Sequence, residues 1–312
     1  RSSVTDYLVI TLLPSSKAIS MTVLGLGSFV VGMIPACIPQ SARQRHPLLI
    51  SCLLCFGGGV LLSTSLLHML PEARVNLPNY TELLLCAGFF IVYAVDEIVH
   101  FFYGTNESTS GHRRNYGAGE QSSLLRRNSE DAEMRERCCG DAGNSRMCHV
   151  SHTEPCNKSS SGIIGLLCAL FVHSLLEGLA IGLQETAVML LLAAVASHKF
   201  VVGFCLGAEL CASAASNLCT HILCVALFSG GSAAGIAIGA ALDSVEAFNN
   251  SPAVPIMQSL AAGTLLYVTV SEVLPRERAR WHERKRGAGL AQFLSVAVGF
   301  ALMYLSTKYL GE

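Results

Sequence analysis

The stretch "FVHSLLEGLAIGLQ" at 171–184 sets His173 and Glu177 four residues apart in otherwise apolar surroundings. On a helix that spacing puts both on one face. An ionisable pair embedded in hydrocarbon is costly and normally faces a partner or a pathway. The next apolar run contains "SHKFVVG", with His198 and Lys199. Read as adjacent antiparallel spans, the two runs bring His173, Ser174, Glu177 and His198 to one depth. Two imidazoles, a carboxylate and a hydroxyl make an incomplete shell for a borderline divalent metal such as Zn(II). The plainer alternative is that each histidine hydrogen-bonds a neighbouring helix. The shared depth and the His-x-x-x-Glu spacing favour the metal.

Other polar residues extend this pattern. Lys199 could be the partner of Glu177, of Glu272 or of a backbone carbonyl. It could also be a fixed cation beside the site that excludes a second metal, the reading favoured here. A second His-x-x-x-Glu pair, His68 and Glu72 in "LLHMLPEA", could capture a metal at an entrance, or Glu72 could be an ordinary interfacial residue. Asp96, Glu97, His100 and Glu209 sit at cytosolic span ends and, with Glu272, could form an exit relay for a cation; Asp96, Glu97 and Glu209 read better as groups reaching the headgroups. Glu272 in "YVTVSEVLP" lies deeper and is the better exit candidate.

The elements that must position these groups are membrane helices. Of the 312 residues, 51% are apolar and only 14% charged, against about 25% charged in soluble chains. Runs long enough to span, about 20 residues each, fall at 17–38, 47–70, 81–103, 162–184, 186–209, 218–242, 253–274 and 289–310. The expected fold is all-α, a polytopic bundle of eight transmembrane helices. Residues 1–103 hold spans one to three and 162–312 hold spans four to eight, with the metal site between four and five. Between them, 104–161 is rich in Ser, Gly, Arg, Glu and Asn and reads as a disordered loop. The run "YLVITLL" before Pro14 is too short to span. Because the chain starts at Arg1 rather than Met, its N-terminus is expected to be incomplete.

Basic residues set the expected orientation. The long loop carries Arg113, Arg114, Arg126, Arg127, Arg135, Arg137, Arg146 and Lys158, and the 275–288 loop carries Arg276, Arg278, Arg280, Arg284, Lys285 and Arg286. The opposite face has only Arg1, Lys17, Arg74 and Lys308. The termini are therefore expected outside and the long loop in the cytosol. There, Cys138, Cys139, Cys148 and Cys156 would be reduced thiols, and "CHVSHTEPC" at 148–156 offers soft metal ligands without the spacing of a closed zinc module. Also in this loop, "EQSSLL" resembles an acidic dileucine endocytosis signal, with Glu120, Leu124 and Leu125 facing an endocytic adaptor.

Several classes drop out. A net charge of −1 gives no basis for nucleic-acid binding. No His-Glu-x-x-His string of a metalloprotease occurs, and no G-x-x-x-x-G-K-[ST] phosphate loop of a primary pump. What remains is passive or secondary transport, or a membrane metal sensor holding a structural ion without flux. Three strong ligands without a thiolate suit a site that releases its cargo. Protonation of its histidines would compete with metal.

"HSLLEGLAIGLQ" followed by "HK" mid-way along the next span, with "FGGGVLLSTSLLHMLPEA" in span two and "AAGTLLYVTVSEVLP" in span seven, resembles the ZIP (Zrt/Irt-like protein) zinc transporters. The branch it is most similar to is that of animal plasma-membrane zinc importers. The resemblance implies a transporter with Zn(II) as substrate and no cofactor, a homodimer, and a bundle of spans one, four, five and six moving against two, three, seven and eight. It implies His173, Ser174, Glu177 and His198 as transport-site residues. It also implies plasma-membrane residence, with a vesicle or Golgi membrane as the alternative. Family members with an acid where Lys199 stands and Glu where Val202 stands can hold two metals. A cation and an aliphatic residue here imply one metal at a time.

Overall fold

The computed structural model describes residues 2–39, 41, 45, 47–103, 160–184, 188–212, 217–243, 252–281 and 286–310. The long loop up to residue 159, with Glu120, Leu124, Leu125 and its cysteine motif, lies outside the described residues. Where hydrocarbon offers no hydrogen-bond partner, an apolar run of this length must satisfy its backbone internally and so becomes a helix. Eight long helices result among the described residues: α1 (Ser2–Cys37), α2 (Pro47–Asn76), α3 (Thr81–Tyr103), α4 (Ser160–Gly182), α5 (Val188–Ala212), α6 (Leu218–Asp243), α7 (Ala253–Trp281) and α8 (Arg286–Leu310). All eight are long and apolar enough to cross a membrane, and no strand occurs among the described residues. Several hydroxyls inside them are satisfied locally: Thr64 donates to Val60 O and Thr269 to Leu265 O, each back one turn.

Three helices outrun the spans read from hydropathy. In α1 the helix is continuous from Ser2 through Pro14. The spans expected to end at 70 and 274, each just before a proline, continue as helix to Asn76 and Trp281. Both contain a π-helical segment directly upstream, Thr64–Met69 in α2 and Val268–Val273 in α7. A proline lacks the N–H and its ring crowds the carbonyl four residues back. The wider π turn moves that carbonyl aside, so Pro71 and Pro275 are absorbed. Part of the expected 275–288 loop, with Arg276, Arg278 and Arg280, is therefore helical.

Close packing divides the helices into two sets. In one, α4 meets α6 where Gly178 faces Gly235 and Gly182 faces Gly239, so closely that a Cβ on any of them would strike the neighbouring backbone. The glycines of α5, Gly203 and Gly207, lie against the backbone of α1 at Ser28 and Gly32. His221 of α6 completes this set by donating from Nε2 to Gly32 O, at 3.2 Å. In the other set α2 and α8 meet at Gly59 and Gly299, and α3 and α7 at Gly88 and Gly263. Small residues let helix backbones approach within each set. Between the sets, a core of side chains that includes Leu61, Leu170, Val202, Leu206, Leu265 and Val268 fills the space.

Candidate metal centre

Near the middle of α4 and α5 three buried groups converge. His173, Glu177 and His198 each offer a ligand atom, and these atoms lie within 4.8 Å of one another. All three side chains are at most 3% exposed. Each histidine is oriented by a backbone carbonyl, which can only accept. His173 Nδ1 donates to Ala261 O of α7 at 3.0 Å, with Thr264 Oγ1 at 3.1 Å. His198 Nδ1 donates to Ala194 O one turn back, at 3.2 Å. Both rings therefore point Nε2 at Glu177, the arrangement that prepares an imidazole to ligate a metal.

Glu177 Oε1 stands 2.6 Å from His198 Nε2 and 3.8 Å from His173 Nε2. With Nδ1 of His198 already donating, the shorter contact needs a proton on Nε2 to be attractive; a metal ion could take the place of that proton only with the two atoms further apart. Tetrahedral ligands at Zn(II) bond lengths stand about 3.3 Å apart, so the observed spacings bracket what the ion needs. Small side-chain shifts would complete the site.

Lys199 is buried beside it, 1% exposed. Its ammonium donates to Glu177 Oε2 at 2.9 Å and to Ser174 Oγ at 3.1 Å, and it sits 4.8 Å from the centre of the Phe228 ring. Of the partners considered from sequence, Glu177 is the one met; Glu272 pairs with Arg276 instead. Lys199 thus holds one carboxylate oxygen and leaves the other to the histidines. Ser174 reaches the cluster through Lys199.

On one side of the cluster a small cavity of about 10 Å³ connects Glu177 and His198 to His68, Glu72 and Gln258. A buried water needs at least that much room, so the neck is closed to anything larger. Beyond it His68 and Glu72 line an open crevice of about 570 Å³ that also touches Gln184, Ser306 and Thr307. His68 Nε2 and Glu72 Oε2 are 3.8 Å apart, and Gln258 donates to Glu72 Oε1 at 3.1 Å.

The opposite side holds Glu272, Glu209 and Asp96, all turned inward. Glu272 contacts Arg276, and Glu209 accepts from Arg280 at 2.6 Å. Asp96, expected at the headgroups with Glu209, is 8% exposed and accepts from Tyr267 Oη at 2.9 Å. Glu97 is exposed as expected, and so is His100. The steadying residues Gln258, Thr264 and Arg280, like Arg276, were not singled out from sequence as site residues. A partial signal was present in the Leu-Pro step shared by "HMLPEA" and "SEVLPRE".

Comparison with known proteins points the same way. The family model described as ZIP zinc transporter matches residues 15–307. Zinc transporter ZIP1 of Danio rerio is 29% identical over 291 residues, covering 87% of this chain and 90% of that protein. Zinc transporter ZIP2 of Homo sapiens is 29% identical over 310 residues, covering 87% and 91%. Zinc transporter ZIP1 of Mus musculus is 27% identical over 308 residues, covering 91% and 88%.

Proposed function

Because this chain belongs to the ZIP zinc transporter family, we propose that it carries zinc into the cytosol through the cluster of His173, Ser174, Glu177 and His198. It is a divalent-metal transporter of the membrane, not an enzyme, for members of this family move zinc as their substrate. The observation that carries the reading of the site is the convergence of two Nε2 atoms and one carboxylate oxygen, each oriented by a hydrogen bond from behind.

His68 and Glu72 are the entrance. They line the crevice and the neck that leads to Glu177, and a carboxylate and an imidazole there attract a divalent cation before it is desolvated. In the cluster the metal replaces the proton shared by His198 and Glu177. Lys199 confines the site to one ion by holding Glu177 Oε2. Glu272 receives the metal at the exit. The protein resides in the plasma membrane as a homodimer with extracellular termini, and Glu120, Leu124 and Leu125 present the loop to an endocytic adaptor.

The test is radioactive zinc uptake in cells expressing wild type, His173→Ala and Glu177→Ala at matched surface abundance. Uptake in both variants is expected at background. Normal transport by both would sink the transport site and leave the pair as helix-packing groups. Uptake by wild type should also slow on acidification, because protons compete for the same nitrogens. A rate that climbs steadily on acidification would count against this and favour proton coupling. The enclosure of the cluster also fits a sensor with a structural ion. Zinc binding unaccompanied by flux would select that reading.

A further inference from the structure

The end of the bundle away from the crevice is closed by charge. Arg276 on α7 donates to Gly162 O at the start of α4, at 2.6 Å. The same guanidinium contacts Glu272 one turn earlier on its own helix and lies 3.7 Å from Glu209 on α5. Arg280, one turn on, shares that Glu209 oxygen at 2.6 Å and pairs with Glu277. Glu277 is in turn anchored to α2 and α8, accepting from Ser51 Oγ at 2.6 Å while Gln292 donates to Ser51 Oγ and to Glu277 O, each at 2.9 Å. A planar guanidinium offers five fixed donors and suits this multiple role where a lysine would not.

What it joins is significant. The helices carrying His173, Glu177 and His198 are α4 and α5, and Arg276 ties both to α7. Between Arg276 and the cluster is a cavity of only about 20 Å³, walled by Leu61, Leu170, Val202, Leu206 and Val268, with Glu209 and Glu272 at its charged end. That is room for about one water.

We propose that Arg276 is the residue that closes the passage at this end. It pins α4 and α5 against α7 and occupies Glu272 and Glu209, so neither carboxylate is open to a divalent cation until the two helix sets part. The inference rests on zinc passing through the cluster, but closure itself is measurable without metal. Cys205 is the reporter. Its thiol is buried and lines the cavity, whereas Cys224 is buried on α6 and does not line it.

The experiment is peptide-resolved N-ethylmaleimide labelling of the full chain in lipid nanodiscs, without metal. Arg276→Gln is expected to label Cys205 about tenfold faster than wild type, as loss of charge-assisted hydrogen bonds allows. Glu209→Gln should accelerate it in the same sense, Arg276→Lys should fall between wild type and Arg276→Gln because one ammonium keeps the charge but not the fork, and Cys224 should be unchanged in all three. An unchanged Cys205 rate in Arg276→Gln overturns the proposal. So does equal acceleration of Cys205 and Cys224, because that reports general loosening. Uptake by His173→Ala tests the cluster separately, so failure of the transport site and failure of the closure are seen in different assays.

Discussion

Helices α2 and α7 use the same backbone device with different side chains. In α2 the π segment Thr64–Met69 is followed by Leu70, Pro71 and Glu72; in α7 the π segment Val268–Val273 is followed by Leu274, Pro275 and Arg276. Aligned on the proline, His68 corresponds to Glu272 and Glu72 to Arg276. Each helix thus presents an i, i+4 pair at its π-proline step. At one end the pair is histidine and glutamate, 3.8 Å apart, beside a crevice of about 570 Å³. At the other it is glutamate and arginine in direct contact, beside a cavity of about 20 Å³. The two pairs differ at both positions, an imidazole facing a carboxylate at one end and a carboxylate already neutralised by a guanidinium at the other. Glu72 accepts from the neutral donor Gln258, whereas Glu272 is paired with the cationic Arg276.

This comparison can be broken first where the two ends meet. Glu177→Gln removes the counter-charge of a buried lysine. Uptake should fall to background and stability by about 3 kcal/mol, the usual order for breaking a buried ion pair. Uptake kinetics and a thermal shift of the purified protein check both. A variant of unchanged stability would mean that Lys199 has a second counter-charge.

Next, Glu72→Arg moves the cation of the closed end into the crevice. The KM for zinc should rise about tenfold with surface abundance unchanged, since a desolvated like charge opposes the metal. Equal kinetics in variant and wild type would remove the entrance role. His68→Ala sharpens the contrast more gently, with KM up about three- to fivefold and kcat held, because one weak ligand is lost before the committed site. A fall in kcat at constant KM would instead put His68 in the transport step. The smallest effect is expected for Gln258→Leu, which frees Glu72 from one neutral hydrogen bond worth about 1 kcal/mol. Zinc KM should change about two- to threefold, and only while Glu72 is present; the double variant with Glu72→Ala reads the coupling.

The residues of the sequence carried a good part of this. Eight apolar runs of spanning length are a composition statement, and every one became a helix. The pair His173 and Glu177 stood out because four residues is one helical turn, and His198 because its place along the next run matches in depth. These are local quantities, settled by side-chain polarity and by the obligation of a backbone in hydrocarbon to bond to itself. Prolines misled at Pro71 and Pro275, where hydropathy stopped and the helices did not. A π turn is a matter of backbone hydrogen-bond register, on which the pattern of apolar residues is silent.

Sequence alone determined that this chain is an eight-helix membrane protein with a histidine–carboxylate pair one turn apart inside it. The tertiary structure decided which charges are spoken for. Arg280 and Glu209 pair across 71 positions and Gln258 and Glu72 across 186, and Gly207 meets α1 rather than α4 or α6. The physical reason is common to all three. A local pattern tells a side chain which face of its own helix it occupies, but the neighbour on that face is chosen by how all the helices pack, and in a low-dielectric interior that neighbour decides whether a carboxylate binds a metal or an arginine.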